Sequence, residues 1–197
     1  MPDDLFSPWC IRSTAERGQH RLEILRERRG GQVTALSKLE TVVPSHYDDP
    51  TRMAERARRL GASAVAKVLR EQLPRSKRAQ SGDLGEILAT EYVNRKLPFA
   101  VPVKRLRWKD GRELALRGDD LIGFRTTRDR LHLLKGEAKS RASLATSVLN
   151  GAVKALRMNR GRPSAHALAF VMQRLLDMDD PRGYVLERYL SGNNPPT

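Results

Sequence analysis

The chain holds a single cysteine, Cys10, in 197 residues. No disulfide can form within it, and a zinc site built on several cysteines is excluded. Histidine is nearly as scarce: His20, His46, His132 and His166 are scattered, without the H-x3-H or HExxH spacing of a metal-binding helix. Long apolar runs are missing too. Nothing approaches the ~18–20 residues of a membrane span. The start, "MPDDLFSPWCIRSTAERGQ", lacks a basic stretch followed by an apolar core, so no secretory leader is expected there. These absences lead to the expectation of a cytoplasmic protein with no membrane partner. A G-x4-GK[ST] phosphate loop is also lacking, so the sequence carries no ATP-driven motor.

Acids are in deficit. Against 37 lysines and arginines stand 23 acids, a net charge of +14. A balance this basic points to a polyanion as partner. The basic residues lie within segments that read as structured, which suits a binding surface better than a disordered arm.

The pattern divides near residue 80. Residues 1–80 read as a basic, mainly helical region for partner docking or DNA contact. "STAERGQHRLEILRERRGG" reads as one helix stopped by Gly30 and Gly31, and "QVTALSKLETVV" as strand-like or irregular. "DDPTRMAERARRLGASAVAKVLREQLP" reads as a second helix, with Asp49 as cap and Pro50 in its first turn. Met53, Ala57, Leu60, Ala64 and Val68 give it an apolar stripe. The polar link "PRSKRAQSG" follows, carrying Arg75, Lys77 and Arg78 as candidate nucleic-acid contacts.

Residues 81–197 change character. "SGDLGEILATEYVNRKL" reads as a helix capped by Ser81, with Glu86 the one charge on a small and apolar face. A strand-rich block follows: "FAVPVKRLRW", the turn "KDGR", "ELAL", then "DDLIGF", the turn "RTTRD" and "RLHLLKGEAKS". The remainder reads mainly as helix, although "HALAFV" could open as a strand.

The chemistry concentrates in "RGDDLIGFRTTRDRLHLLKGEAKSR". Asp119 and Asp120 head one apolar run, and Glu137 and Lys139 end the next. Strand alternation puts Glu137 and Lys139 on one face. If the two runs pair as a hairpin with a bulge at Gly136, the acid pair and the E-x-K end come side by side. Convergent carboxylates bind a hard divalent cation, and a lysine beside them can orient a water or stabilise phosphoryl charge.

These motifs resemble the PD-(D/E)XK nuclease superfamily. "GDDLIGF" matches its acid-bearing second strand, "LLKGEAKS" its (D/E)-x-K strand, and "SGDLGEILATEY" its glutamate-bearing first helix. The proline common before the acid is replaced by Gly118. The resemblance implies a restriction-endonuclease-like α/β core, a mixed sheet flanked by helices, with a helical N-terminal extension. It implies that Glu86, Asp120 and Glu137 hold Mg2+ (or Mn2+) and that Lys139 acts on the nucleophilic water. Asp119 competes with Asp120 as ligand. Over residues 47–176 the chain also resembles HamA, the nuclease subunit family of the Hachiman anti-phage defence system. That resemblance implies a Mg-dependent deoxyribonuclease working with a superfamily-2 helicase subunit, HamB-like. The alternatives are a non-catalytic nucleic-acid-binding or scaffold protein on a nuclease fold, and a housekeeping DNA-repair nuclease.

Overall fold

The computed structural model describes residues 4–127 and 130–192. The chain clusters into two compact units, Met1–Ser45 and His46–Thr197. Both sheets among the described residues are antiparallel pairs. The architecture is mixed α/β, but the larger mixed sheet expected from the resemblance is not what these strands form.

In the first unit, the segment expected as a charged helix is a hairpin. Strand β1 (Cys10–Arg17) pairs with β2 (His20–Glu27). Gly18 adopts φ +59° in the turn between them, a conformation that glycine takes at no steric cost. Arg12 reaches across to Glu23 at 2.6 Å, tying the strands on their polar face. The segment expected to be strand-like or irregular is instead the body of helix α1 (Gly31–Tyr47). Its β-branched residues suggest a strand, but propensity is a weak prior against packing.

The second unit opens with two helices where one was expected. Helix α2 (Pro50–Leu60) is capped by Asp49, as expected, whose carboxylate accepts from the amides of Thr51 and Arg52. It stops at Gly61, whose φ of +86° ends α2 and begins α3 (Ala62–Gln72). The break spoils the apolar stripe: Leu60 and Val68 are largely exposed. Helix α4 (Lys77–Lys96) starts earlier than expected. Its cap is Ser76, and Ser81 lies inside it.

"FAVPVKRLRW" forms no strand. Ala100 makes one bridge to Phe124; Pro102 has no N–H to continue a ladder, and Arg105–Trp108 closes into a 3-10 turn. "ELAL" is not a strand either. Strand β3 (Leu121–Thr127) pairs with β4 (Arg130–Gly136). Part of the expected "RTTRD" turn falls on residues 128 and 129, outside the described residues. Leu121 pairs with Gly136 in regular register, so no bulge occurs at Gly136. A Cβ on Gly136 would meet Leu121 at 2.4 Å, so the close pairing there needs glycine.

The chain continues through α5 (Thr146–Arg157), a turn at Met158–Gly161, α6 (Ala165–Asp177) and α7 (Pro181–Leu190). "HALAFV" is therefore helical. The first half of β3 is buried on both faces. Ile122 and Phe124 pack with Leu168, Val171 and Leu175 of α6. Leu121 packs with Val93 of α4 and with Val101. This sandwich fixes the hairpin's acidic end against α4.

Candidate functional site

Helix α4 supplies one wall of the site. Its first turn carries cations and no acid, the reverse of what the helix dipole favours. Glu113 compensates from outside the helix: its carboxylate accepts from the Arg75 amide at 2.6 Å and from the Ser76 hydroxyl at 2.5 Å. Arg75, Lys77 and Arg78 are exposed around this end.

Further along α4 the buried face is unexpectedly polar, holding Asp83, Thr90 and Glu91 beside Ile87 and Val93. Asp83 accepts from the Tyr47 hydroxyl at 2.7 Å and from the Lys109 ammonium at 2.8 and 2.9 Å. Burial and this hydrogen bond push the Tyr47 hydroxyl well above its ordinary pKa. Glu91 collects His46 at 2.8 Å, Arg95 at 2.8 Å and Lys104 at 3.6 Å. Burial alone would raise its pKa; the hydrogen bonds from His46 and Arg95 and the nearby charge of Lys104 outweigh that and hold it at about 2.

Glu86 lies one turn beyond Asp83. Its carboxyl is pushed up to about 7, chiefly by burial. Arg105 counters the shift, and the charges of Asp120 and Asp83 add to it. The acid on the helix and the acid before β3 are thus electrostatic neighbours.

The expected acid pair divides. Asp119 is buried, pairs with Lys135 at 3.0 Å and accepts from the Ser164 amide at 2.7 Å. Lys135 also donates to the carbonyls of Met158 and Arg162 at 3.2 and 3.3 Å. Asp119 is committed to joining β4 with the start of α6. Asp120 is partly exposed and accepts from the Ala138 amide at 2.8 Å. The register ends at the Leu121–Gly136 pair, and Asp120 and Glu137 are the residues that flank it. Glu137 and Lys139 form an ion pair with each other. Ser140 then anchors the segment to α4: its hydroxyl is 2.7 Å from that of Ser81, and a Cβ on Gly85 would stand 3.0 Å from its own.

Glu86, Asp120, Glu137 and Lys139 are thereby carried by elements that meet: Glu86 feels Asp120, Asp120 binds the strand-end amide, and that segment docks on α4. Among the described residues, no three His, Cys, Asp or Glu side chains are gathered closely enough to hold a metal ion. The donor chemistry still fits a hard cation. The carboxylates are oxygen donors, and Glu86 stands where burial and neighbouring acids leave its negative charge poorly compensated.

Sequence reasoning missed Tyr47, Lys109, Arg105 and the buried role of Asp83. Lys109 lies 26 residues from Asp83, and no local spacing announces that pair. Arg105 is buried and donates to the carbonyls of Arg117, at 2.7 Å, and of Asp119. No helix among the described residues is long and apolar enough to cross a membrane.

No curated protein matches the chain. The HamA family model matches residues 25–197, which takes in the acid-bearing helix, the hairpin and every residue of the site just described. The chain belongs to the HamA family.

Proposed function

We propose that this protein is the nuclease subunit of a Hachiman anti-phage defence system. It hydrolyses DNA phosphodiester bonds with Mg2+ (or Mn2+), under the control of a partner helicase. Family membership supports the defence setting. The chemistry is supported by one feature: Glu86, a half-buried carboxyl pushed up to about 7, lies within the field of Asp120. A folded protein gains nothing from that arrangement unless a cation or a proton satisfies it. The order of Glu86 on a helix, Asp120 before a strand and Glu137-Ala138-Lys139 after the next supports a PD-(D/E)XK core.

Glu86, Asp120 and Glu137 would hold the ion. When bound, it would neutralise phosphoryl oxygens and acidify a water. Lys139, freed from Glu137, would orient that water or stabilise charge on the phosphorus centre. Phosphate contact at the start of α4 falls to the side chains of Arg75, Lys77 and Arg78, because Glu113 occupies the amides of Arg75 and Ser76. The exposed basic helices α2 and α3 are the proposed docking region for the helicase.

The Glu137–Lys139 pairing and the ungathered acids favour a second reading, a non-catalytic nucleic-acid-binding subunit. One experiment decides between them. Plasmid and linear DNA are incubated with the protein in Mg2+ and in EDTA, with and without the helicase. Mg2+-dependent cleavage lost in Glu137→Ala is expected. Binding without cleavage under every condition establishes the second reading.

A further inference from the structure

Gly118 separates the carboxylates from a pocket of about 570 Å³. Small-molecule sites span roughly 300–1,000 Å³. The pocket lies between the Arg105–Trp108 turn, residues 110–117 and α6. Its lining combines two chemistries. One is aromatic and apolar: Trp108 stands edge-on to Phe170, with ring centroids 6.0 Å apart, and Leu116 joins them. The Arg174 guanidinium lies over both rings, at 5.7 and 5.6 Å, and holds them in place. The other is cationic. Arg117 and His166 are exposed, and neither side chain has a hydrogen bond or ion pair among the described residues. Asp110 is the one acid in the lining.

A flat ring suits the first wall and a phosphate the second, so the ligand must carry both. Asp110 can accept from an exocyclic amine. The pocket is also tied to the site. Arg105 lines it while donating to the carbonyls of Arg117 and Asp119, and Gly118, at φ +98°, leads directly into the acid pair. A Cβ on Gly118 would touch Ala167 at 3.4 Å, so the segment lies close on α6.

The geometry points to a binding pocket for one unstacked nucleotide of a nucleic-acid strand, its base against Trp108, Phe170 and Leu116 and its phosphate on Arg117 and His166. The inference rests on the nuclease reading for the origin of that strand. It narrows the substrate to DNA with an unpaired nucleotide beside the cleavage point, because a blunt duplex keeps its base faces inside the stack. Stacking on aromatic side chains is sequence-tolerant, so the pocket selects strand state and not sequence.

The test measures binding in EDTA, so that cleavage plays no part. Three labelled probes are compared: a blunt duplex, the same duplex with a single-stranded overhang, and that overhang made of abasic residues. Free deoxyadenosine monophosphate serves as a fourth. The overhang is expected to bind about ten-fold tighter than the blunt duplex, a ratio consistent with base–aromatic stacking. The abasic overhang loses that advantage. Ala115→Trp, at an exposed lining position, loses it too, with melting temperature and blunt-duplex binding unchanged, and Arg117→Ala loses it as well. Retention of the preference in both variants, or equal binding of abasic and normal overhangs, overturns the pocket. Saturable binding of the free nucleotide with no overhang preference assigns the pocket to a free nucleotide and overturns the strand assignment. Plasmid cleavage in Mg2+ is scored in parallel. Its absence in the wild type both with and without the helicase sinks the nuclease reading, whereas lost overhang preference in the wild type with cleavage intact sinks only the pocket.

Discussion

Asp119 and Asp120 are chain neighbours with different tasks, and their variants should separate cleanly. Asp119→Ala leaves Lys135 buried without its carboxylate, so unfolding should become easier by about 3–5 kcal/mol. Asp120→Ala removes one hydrogen bond at a half-exposed position, a loss of about 1 kcal/mol, but should abolish Mg2+-dependent cleavage. Urea melts and plasmid nicking read the two effects; a stable Asp119→Ala variant would sink the division. Glu86 gives a pH signature. Its carboxyl titrates near 4.5 unfolded and at about 7 folded. Below pH 4.5 it is neutral in both states and costs nothing. As pH rises the unfolded chain ionises first, so stability falls until the folded group has titrated. The full cost, at most about 3 kcal/mol, is reached above pH 7. Glu86→Gln should therefore melt above the wild type at alkaline pH and alongside it in acid. Mg2+ should narrow the gap by stabilising only the wild type. Lys139→Met should retain metal binding by calorimetry and lose roughly 10²–10³ in rate. Unchanged cleavage at saturating Mg2+ would remove Lys139 from the chemistry.

At the scale of elements, α4 organises the second unit. Its first turn offers Lys77 and Arg78, with Arg75 just before, to solvent. Replacing all three by Ala should weaken DNA binding for every sequence, since a side chain on a phosphate is blind to base identity. The log–log salt slope should become shallower by roughly one unit for each phosphate no longer neutralised. An unchanged slope, with failure to co-purify the helicase, would turn this end of α4 into a protein-docking element. What was legible in the sequence follows from the range of the forces involved. The β3–β4 pairing, the glutamate-bearing helix and the Asp49 cap are written in local periodicity and turn chemistry. The polar core face of α4 is not, because Asp83 and Glu91 are buried by partners distant in sequence. The separation of Asp119 from Asp120 is equally hidden. Regular alternation would send Asp120 to the α6 side with Ile122 and Phe124, yet Asp119 makes that contact and Asp120 acts on Glu86. The strand begins only at Leu121, after the positive φ of Gly118, so alternation does not extend to the acids. The β1–β2 hairpin is hard to read in the sequence because charged residues fill both strands, and one glycine turn is the clue.

For the whole molecule, Asp119, Asp120 and Glu137 lie at one end of the β3–β4 hairpin and the Thr127–Arg130 pair at the other. The site end is pinned by the sandwich of α4 and α6, by the Gly136–Leu121 approach and by the Asp120–Ala138 hydrogen bond. Among the described residues, the Thr127–Arg130 end carries no such constraint from the site. A single residue inserted into β4 would send every following side chain to the opposite face and pull Glu137 out of step with Asp120. One residue added to each strand at the Thr127–Arg130 end would lengthen the hairpin and leave the site end untouched. Inherited length variation between Leu121 and Gly136 should therefore come in even steps. It should gather at the Thr127–Arg130 end, so that the two strands tolerate paired codons where either one rejects a single codon.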